Sequence, residues 1–75
     1  MDVVRLFGKN VRYYREIRDL SQEELALSAG VERSYISDIE RGTRNPTVRI
    51  LGRLAEALEV EPAVLLETSH RAENR

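Results

Sequence analysis

The sequence predicts an all-α chain, a compact domain of five short helices. Three observations lead there. No segment alternates apolar and polar residues over a useful length, as a half-buried strand would require. Apolar residues instead recur at helical spacings along most of the chain. Residues that start and stop helices punctuate this pattern at short intervals.

The first helix is expected from Val3 to Arg18, with Phe7, Val11 and Tyr14 on one face. The second follows Ser21. There "SQEE" is a capping box, in which the Ser21 hydroxyl caps the helix and Glu24 reaches back. Leu20 and Leu25 form a hydrophobic staple across that start. The helix is expected to end near Ala29, with Gly30 as its left-handed exit. The third is expected from Arg33 to Glu40, with Glu32 at the cap, Val31 and Ile36 as staple, and Gly42 as the stop. The fourth starts after Pro46 with Thr47 as cap and runs to Leu58. Val48, Leu51, Leu54, Ala55 and Leu58 read as its buried stripe, and Gly52 inside it reads as a close packing point. The fifth runs from Pro62 to Glu67, with proline at the first position and Val60 and Leu65 as a third staple. The domain is expected to span residues 1–67, and residues 68–75 form a polar C-terminal tail.

Seventy-five residues make one small domain, and the 41% apolar content argues that it folds. With no cysteine, the chain has neither a disulfide framework nor a thiolate metal site. No apolar run reaches the length of a membrane span, and the start "MDVVR" lacks the pattern of a secretion signal. The expected location is the cytoplasm. The net charge of −1 does not itself suggest nucleic acid. Its distribution says more. Residues 1–53 hold ten basic and eight acidic side chains, a net of +2, and residues 54–75 hold two and five, a net of −3. Eleven of the twelve basic residues are Arg, which suits bidentate contacts to phosphates and guanine edges.

The turn "AGVE" between the second and third helices is short and contains glycine, the helix-turn-helix pattern. On a wheel of the third helix, Ile36, Ile39 and Glu40 cluster on one side. Opposite lie Ser34, Ser37, Asp38 and Arg41, with Arg33 and Tyr35 at the edges. Short hydroxyls let a helix approach base edges closely, Arg41 has the donors to grip guanine, and Tyr35 can reach a phosphate. Asp38 counts against that use, unless it accepts from cytosine or orients a neighbouring arginine. The wheel alone fits an ordinary solvated face as well as a groove of DNA.

Five fragments in register carry a resemblance: "SQEELA", "AGV", "YISDIERG", "RNPT" and "LAEALEV". Over about residues 5–66 the chain resembles the XRE family of helix-turn-helix proteins, with the lambda-repressor-like fold. Within that family the run from Arg33 to Asn45 is similar to the small controller proteins of restriction–modification systems. The resemblance implies a sequence-specific regulator that binds double-stranded DNA as a homodimer on a roughly palindromic operator. It implies that Gln22 contacts phosphate and braces the recognition helix. It further implies that Arg33, Ser34, Tyr35 and Ser37 read bases or hold phosphates, and that Arg44 and Asn45 contact the backbone. "RNP" also makes a sound turn without any ligand. Arg15 and Glu40 match a structural ion pair between the first and third helices, and the wheel had already turned Glu40 inward. Asp19 departs from the family, which usually places glycine before "LSQ".

One helix in one groove touches too few bases to select an operator, so pairing of two copies is expected. Val60, Val64 and Leu66, beside Pro62 and Ala63, are the apolar residues left to form that interface. An antitoxin paired with a toxin protein, a phage-type repressor, and an adaptor that keeps the fold without reading DNA are the rival functions. An enzyme is not expected. His70, the sole histidine, lies in the polar tail, and there is no cysteine, phosphate loop or metal cluster. No cofactor, metal, membrane or small-molecule ligand is expected.

Overall fold

The computed structural model describes residues 1–68; residues 69–75, which hold most of the expected tail and His70, lie outside the described residues. Four α-helices follow in order: α1 (Val3–Ile17), α2 (Gln22–Ala29), α3 (Arg33–Arg41) and α4 (Val48–Leu58). The expected fifth α-helix is instead a 3-10 helix, Pro62–Leu66, and no strand occurs among the described residues. Five residues beginning with proline are too few to settle into α-helical hydrogen bonding, and the tighter form is usual for such short pieces.

Asp2 caps α1, its carboxylate accepting from the N–H groups of Val4 and Arg5. The helix stops one residue before the expected end. Asp19 follows at φ 60, so the left-handed exit that suits glycine is made here by aspartate. The capping box on α2 is present in both directions: Glu24 N–H donates to Ser21 Oγ at 3.0 Å, and Ser21 N–H donates to Glu24 Oε1 at 2.8 Å. Gly30 and Gly42 leave α2 and α3 at φ 73 and 79. Glu59 leaves α4 at φ 60 with no glycine to announce it.

Phe7 and Val11 from α1, Leu25 from α2, Ile36 and Ile39 from α3, Leu54 and Leu58 from α4, and Leu65 from the 3-10 helix make one core. Each staple places its second residue, Leu25, Ile36 or Leu65, fully inside; Leu20, Val31 and Val60 pack half-buried against the same cluster. Val48 departs from its expected place in the stripe of α4 and is 85% exposed. It is the first residue of α4, and Ile50 and Leu51 after it are the ones packed against the core. Leu51 is only half-buried.

Gly52 is not the close packing point, because a β-carbon there would meet nothing within 4 Å. That role belongs to Gly8, where a β-carbon would lie 2.0 Å from the carbonyl oxygen of Ile39. The backbone of α1 thus rests directly on α3. Asn10, two residues further along α1, is fully buried and ties that helix to the end of the domain. Its Nδ2 donates to the carbonyls of Leu65 at 2.8 Å and Glu67 at 2.9 Å.

Candidate nucleic-acid interface

The α3 helix has almost no cap of its own. Glu32 stands at its N-cap without a side-chain bond, so the helix is held by packing and by its exit. Ile36 and Ile39 are completely buried, which fixes its rotation about its axis. It extends one residue beyond the expected end, to Arg41. After Gly42, both Thr43 N–H (3.0 Å) and Thr43 Oγ1 (3.2 Å) donate to the Asp38 carbonyl. These bonds fold the segment carrying Arg44 and Asn45 back beside the helix.

The position of α3 is also fixed from below by charge. Arg15 Nε donates to Glu40 Oε2 at 2.6 Å and Arg15 Nη2 to Glu40 Oε1 at 3.0 Å, a bidentate pair between α1 and α3. The side chains are 12% and 4% exposed. Arg15 Nη1 donates to the Leu20 carbonyl at 2.8 Å, and Gln22 Nε2 donates to Glu40 Oε1 at 3.0 Å. One carboxylate therefore joins α1, α2 and α3. Its hydrogen bond raises the Arg15 pKa above the ordinary guanidinium value, against the opposing effect of burial. Gln22 is half-buried at the start of α2, where it braces Glu40 from the turn side.

Opposite this buried side, Arg33, Ser34 and Arg41 are exposed, with Tyr35, Ser37 and Asp38 half-buried beside them. Arg33, Ser34, Ser37, Asp38 and Arg41, with Glu32, line one shallow, open depression along the helix. The Arg44 guanidinium lies over the Tyr35 ring, 4.5 Å from its centroid, a cation–π contact. Arg33, Ser34, Tyr35, Ser37, Arg41 and Arg44 are thus brought together on one side of the domain. Asn45 is exposed but turned to another neighbourhood. With Val3, Val4, Phe7, Pro46, Leu51 and Leu66 it lines a small apolar cleft. Of the residues expected at a dimer contact, Leu66 is 43% exposed and borders that cleft, whereas Val60 and Val64 are half-buried.

Asp38 takes the second of the two uses the sequence left it, beside neighbouring arginines. Its Oδ1 accepts from Arg41 Nη2 at 2.5 Å, its Oδ2 lies 3.7 Å from Arg44 Nη2, and Arg41 Nη1 donates to Ser37 Oγ at 3.0 Å. The pairing of Asp38 with Arg41 has the spacing of neighbours on a helix surface, so that half was readable from sequence. The approach of Arg44 was not, because it depends on how the turn folds back.

This geometry, a short exposed polar helix braced on a second helix through a glycine turn, recurs in known proteins. A helix-turn-helix family model matches residues 11–65. The control protein C.SmaI of Serratia marcescens is 46% identical over 66 residues, covering 88% of this chain and 79% of that protein. The control protein C.BamHI of Bacillus amyloliquefaciens is 46% identical over 63 residues, covering 83% of this chain and 78% of that one. The crystal structure of the restriction-modification controller protein C.AhdI from Aeromonas hydrophila matches with a TM-score of 0.81 at 42% identity, covering 83% of this chain and 94% of that chain.

Proposed function

Because this chain belongs to the XRE-type helix-turn-helix family of DNA-binding transcription regulators, we propose that it works as a homodimer on a roughly palindromic operator, as the controller of a restriction–modification system. The observation that carries this reading is the division of α3. Ile36 and Ile39 are wholly inside, while Arg33, Ser34, Ser37 and Arg41 form the opposite face. A helix anchored so firmly on one side can enter the major groove with its other side unchanged in shape. Arg33, Ser34, Ser37 and Arg41 then face base edges, where arginine grips guanine and serine serves several bases. Tyr35, Gln22, Arg44 and Asn45 hold the sugar-phosphate backbone and set the register.

Pairing through Leu66, Val64 and Val60 presents two such helices to half-sites about one helical turn apart, ~34–36 Å. The domain of residues 1–67 suffices for both tasks, and its site is cytoplasmic, where the DNA is. The controller role is favoured by the control proteins among its relatives, which are matched over most of their own length. The test is selection from a random duplex library, followed by binding to the selected and scrambled duplexes across a salt series. A strong preference with two inverted half-sites supports the reading, and uniform binding to every duplex refutes it. A restriction endonuclease or methyltransferase gene beside this one, with the selected sequence upstream, supports the controller role. A neighbouring toxin gene whose product co-purifies refutes it in favour of an antitoxin.

A further inference from the structure

The reading face of α3 carries its own anion. Asp38 lies between two arginines, accepting from Arg41 through Oδ1 and facing Arg44 through Oδ2. Both arginines are otherwise exposed, with side chains 61% and 49% accessible. A carboxylate beside the phosphates of DNA is repulsive. Among Arg33, Asp38, Arg41 and Arg44 it lowers the local charge from +3 to +2. A face built only for affinity would not keep it. Its benefit must lie elsewhere.

The hydrogen bonds give that benefit. A guanidinium has five N–H donors in a rigid fork. In Arg41 one goes to Ser37 Oγ and one to Asp38 Oδ1, from adjacent terminal nitrogens. Three remain, and guanine O6 and N7 need two. Without these acceptors Arg41 is a long flexible cation near the end of a helix, free to find any phosphate. Held by them, its fork has one orientation across the outer face. Arg44 is treated differently. Its guanidinium lies over Tyr35, and Asp38 Oδ2 stands 3.7 Å from it, an ion pair without a direct hydrogen bond. The nearby carboxylate lowers the positive potential that Arg44 offers a phosphate.

We propose that Asp38 is a specificity-determining residue of this face: it aims Arg41 at a guanine and competes with phosphate for Arg44, so that weak non-specific binding is suppressed. This rests on the DNA-binding reading above and adds to it a role for the acid that sits between Arg41 and Arg44. Asp38 acts through Arg41 and Arg44, and is therefore a positioning residue. It trades affinity for discrimination, and the two should move in opposite directions when it is changed.

The experiment uses the whole chain and the duplex selected for the wild type, together with a panel in which each half-site base pair is replaced symmetrically. Wild type, Asp38→Asn, Asp38→Glu, Arg41→Ala and the double variant Asp38→Asn/Arg41→Ala are titrated against the panel and a scrambled duplex. Circular dichroism confirms folding, which a half-buried surface aspartate does not control. Asp38→Asn should bind the scrambled duplex about threefold tighter, since a repulsive charge is gone and Arg44 is released. The same variant should lose about tenfold of the preference at one G·C pair, the pair at which Arg41→Ala loses it. In the double variant the loss at that pair should equal that of Arg41→Ala alone, because the two residues act as one unit. Asp38→Glu keeps the charge but sets the carboxylate one methylene further from the backbone, so non-specific binding should stay at the wild-type level while discrimination falls. An unchanged preference profile for Asp38→Asn overturns the proposal, as does a loss at a different base pair from Arg41→Ala. A wild type with no preferred duplex overturns the DNA reading itself, and this role with it.

Discussion

Arg15 and Glu40 form a two-pronged ion pair across 25 positions of sequence, with contacts of 2.6 and 3.0 Å and nearly no solvent on the carboxylate. The pair faces away from the exposed side of α3 and holds that helix against α1 and α2. Glu40→Ala strands the Arg15 guanidinium beneath the domain and removes the acceptor of Gln22 as well. The expected loss is about 3 kcal/mol or more. Thermal melting measures it directly, and a melting temperature equal to wild type refutes the structural assignment.

Two glycines should respond in opposite directions. Gly8→Ala drives a methyl group into the Ile39 carbonyl and separates α1 from α3, with an expected loss of about 3 kcal/mol. Gly52→Ala meets open space in a helix interior and should gain about 1 kcal/mol. Urea denaturation of both variants checks the pair, and a stable Gly8→Ala protein contradicts the direct seating of one backbone on the other.

Asn10→Ala removes one buried and one part-buried hydrogen bond and leaves the carbonyls of Leu65 and Glu67 without this donor. At about 1 kcal/mol for each bond, a loss of about 2 kcal/mol is expected. Amide exchange should quicken first in the 3-10 helix, before the rest of the domain. Equal acceleration everywhere would show that this tether is not local.

Leu66→Glu should yield a folded monomer, since Leu66 is partly exposed and lies outside the core cluster. Sedimentation equilibrium should report the single-chain mass with helical content unchanged. A wild type that is itself monomeric at high micromolar concentration contradicts dimerisation through this surface.

Arg33→Ala and Arg44→Ala should separate reading from holding. Arg33→Ala should weaken binding to the selected duplex by about 1–3 kcal/mol and relax selection at one position. Arg44→Ala should weaken specific and scrambled duplexes alike and lower the salt slope by about one. If Arg33→Ala retains full discrimination, Arg33 is not a reader.

What was legible in the sequence was local. The capping box at Ser21, the three staples, and the exits at Gly30 and Gly42 each depend on residues within one or two turns, and those residues stand together in the chain. The inward turn of Glu40 followed from the same helical period as Ile36 and Ile39. The departures were set by neighbours distant in sequence. Gly8 is a contact residue only because α3 crosses it 31 positions later. Val48 fits the stripe of α4 by spacing, yet Ile50 and Leu51 take the places against the core and leave it exposed. Asn10 looks like an ordinary surface amide until the chain end arrives over it. The exit at Glu59 takes a left-handed conformation without glycine, so no composition signal marked it.

The division of α3 has a consequence over evolutionary time. Ile36, Ile39 and Glu40 hold the fold, while Arg33, Ser34, Ser37 and Arg41 belong to none of the buried contacts. Mutations on the outer side therefore leave folding nearly untouched. If that outer side reads DNA as proposed, the target sequence can drift while the domain stays equally stable, and a lineage can retune its operator without passing through unfolded intermediates. Asp38, paired with Arg41 and Arg44, and the Arg41–Ser37 bond link the drifting positions to one another, so Ser37, Asp38, Arg41 and Arg44 should change together or not at all.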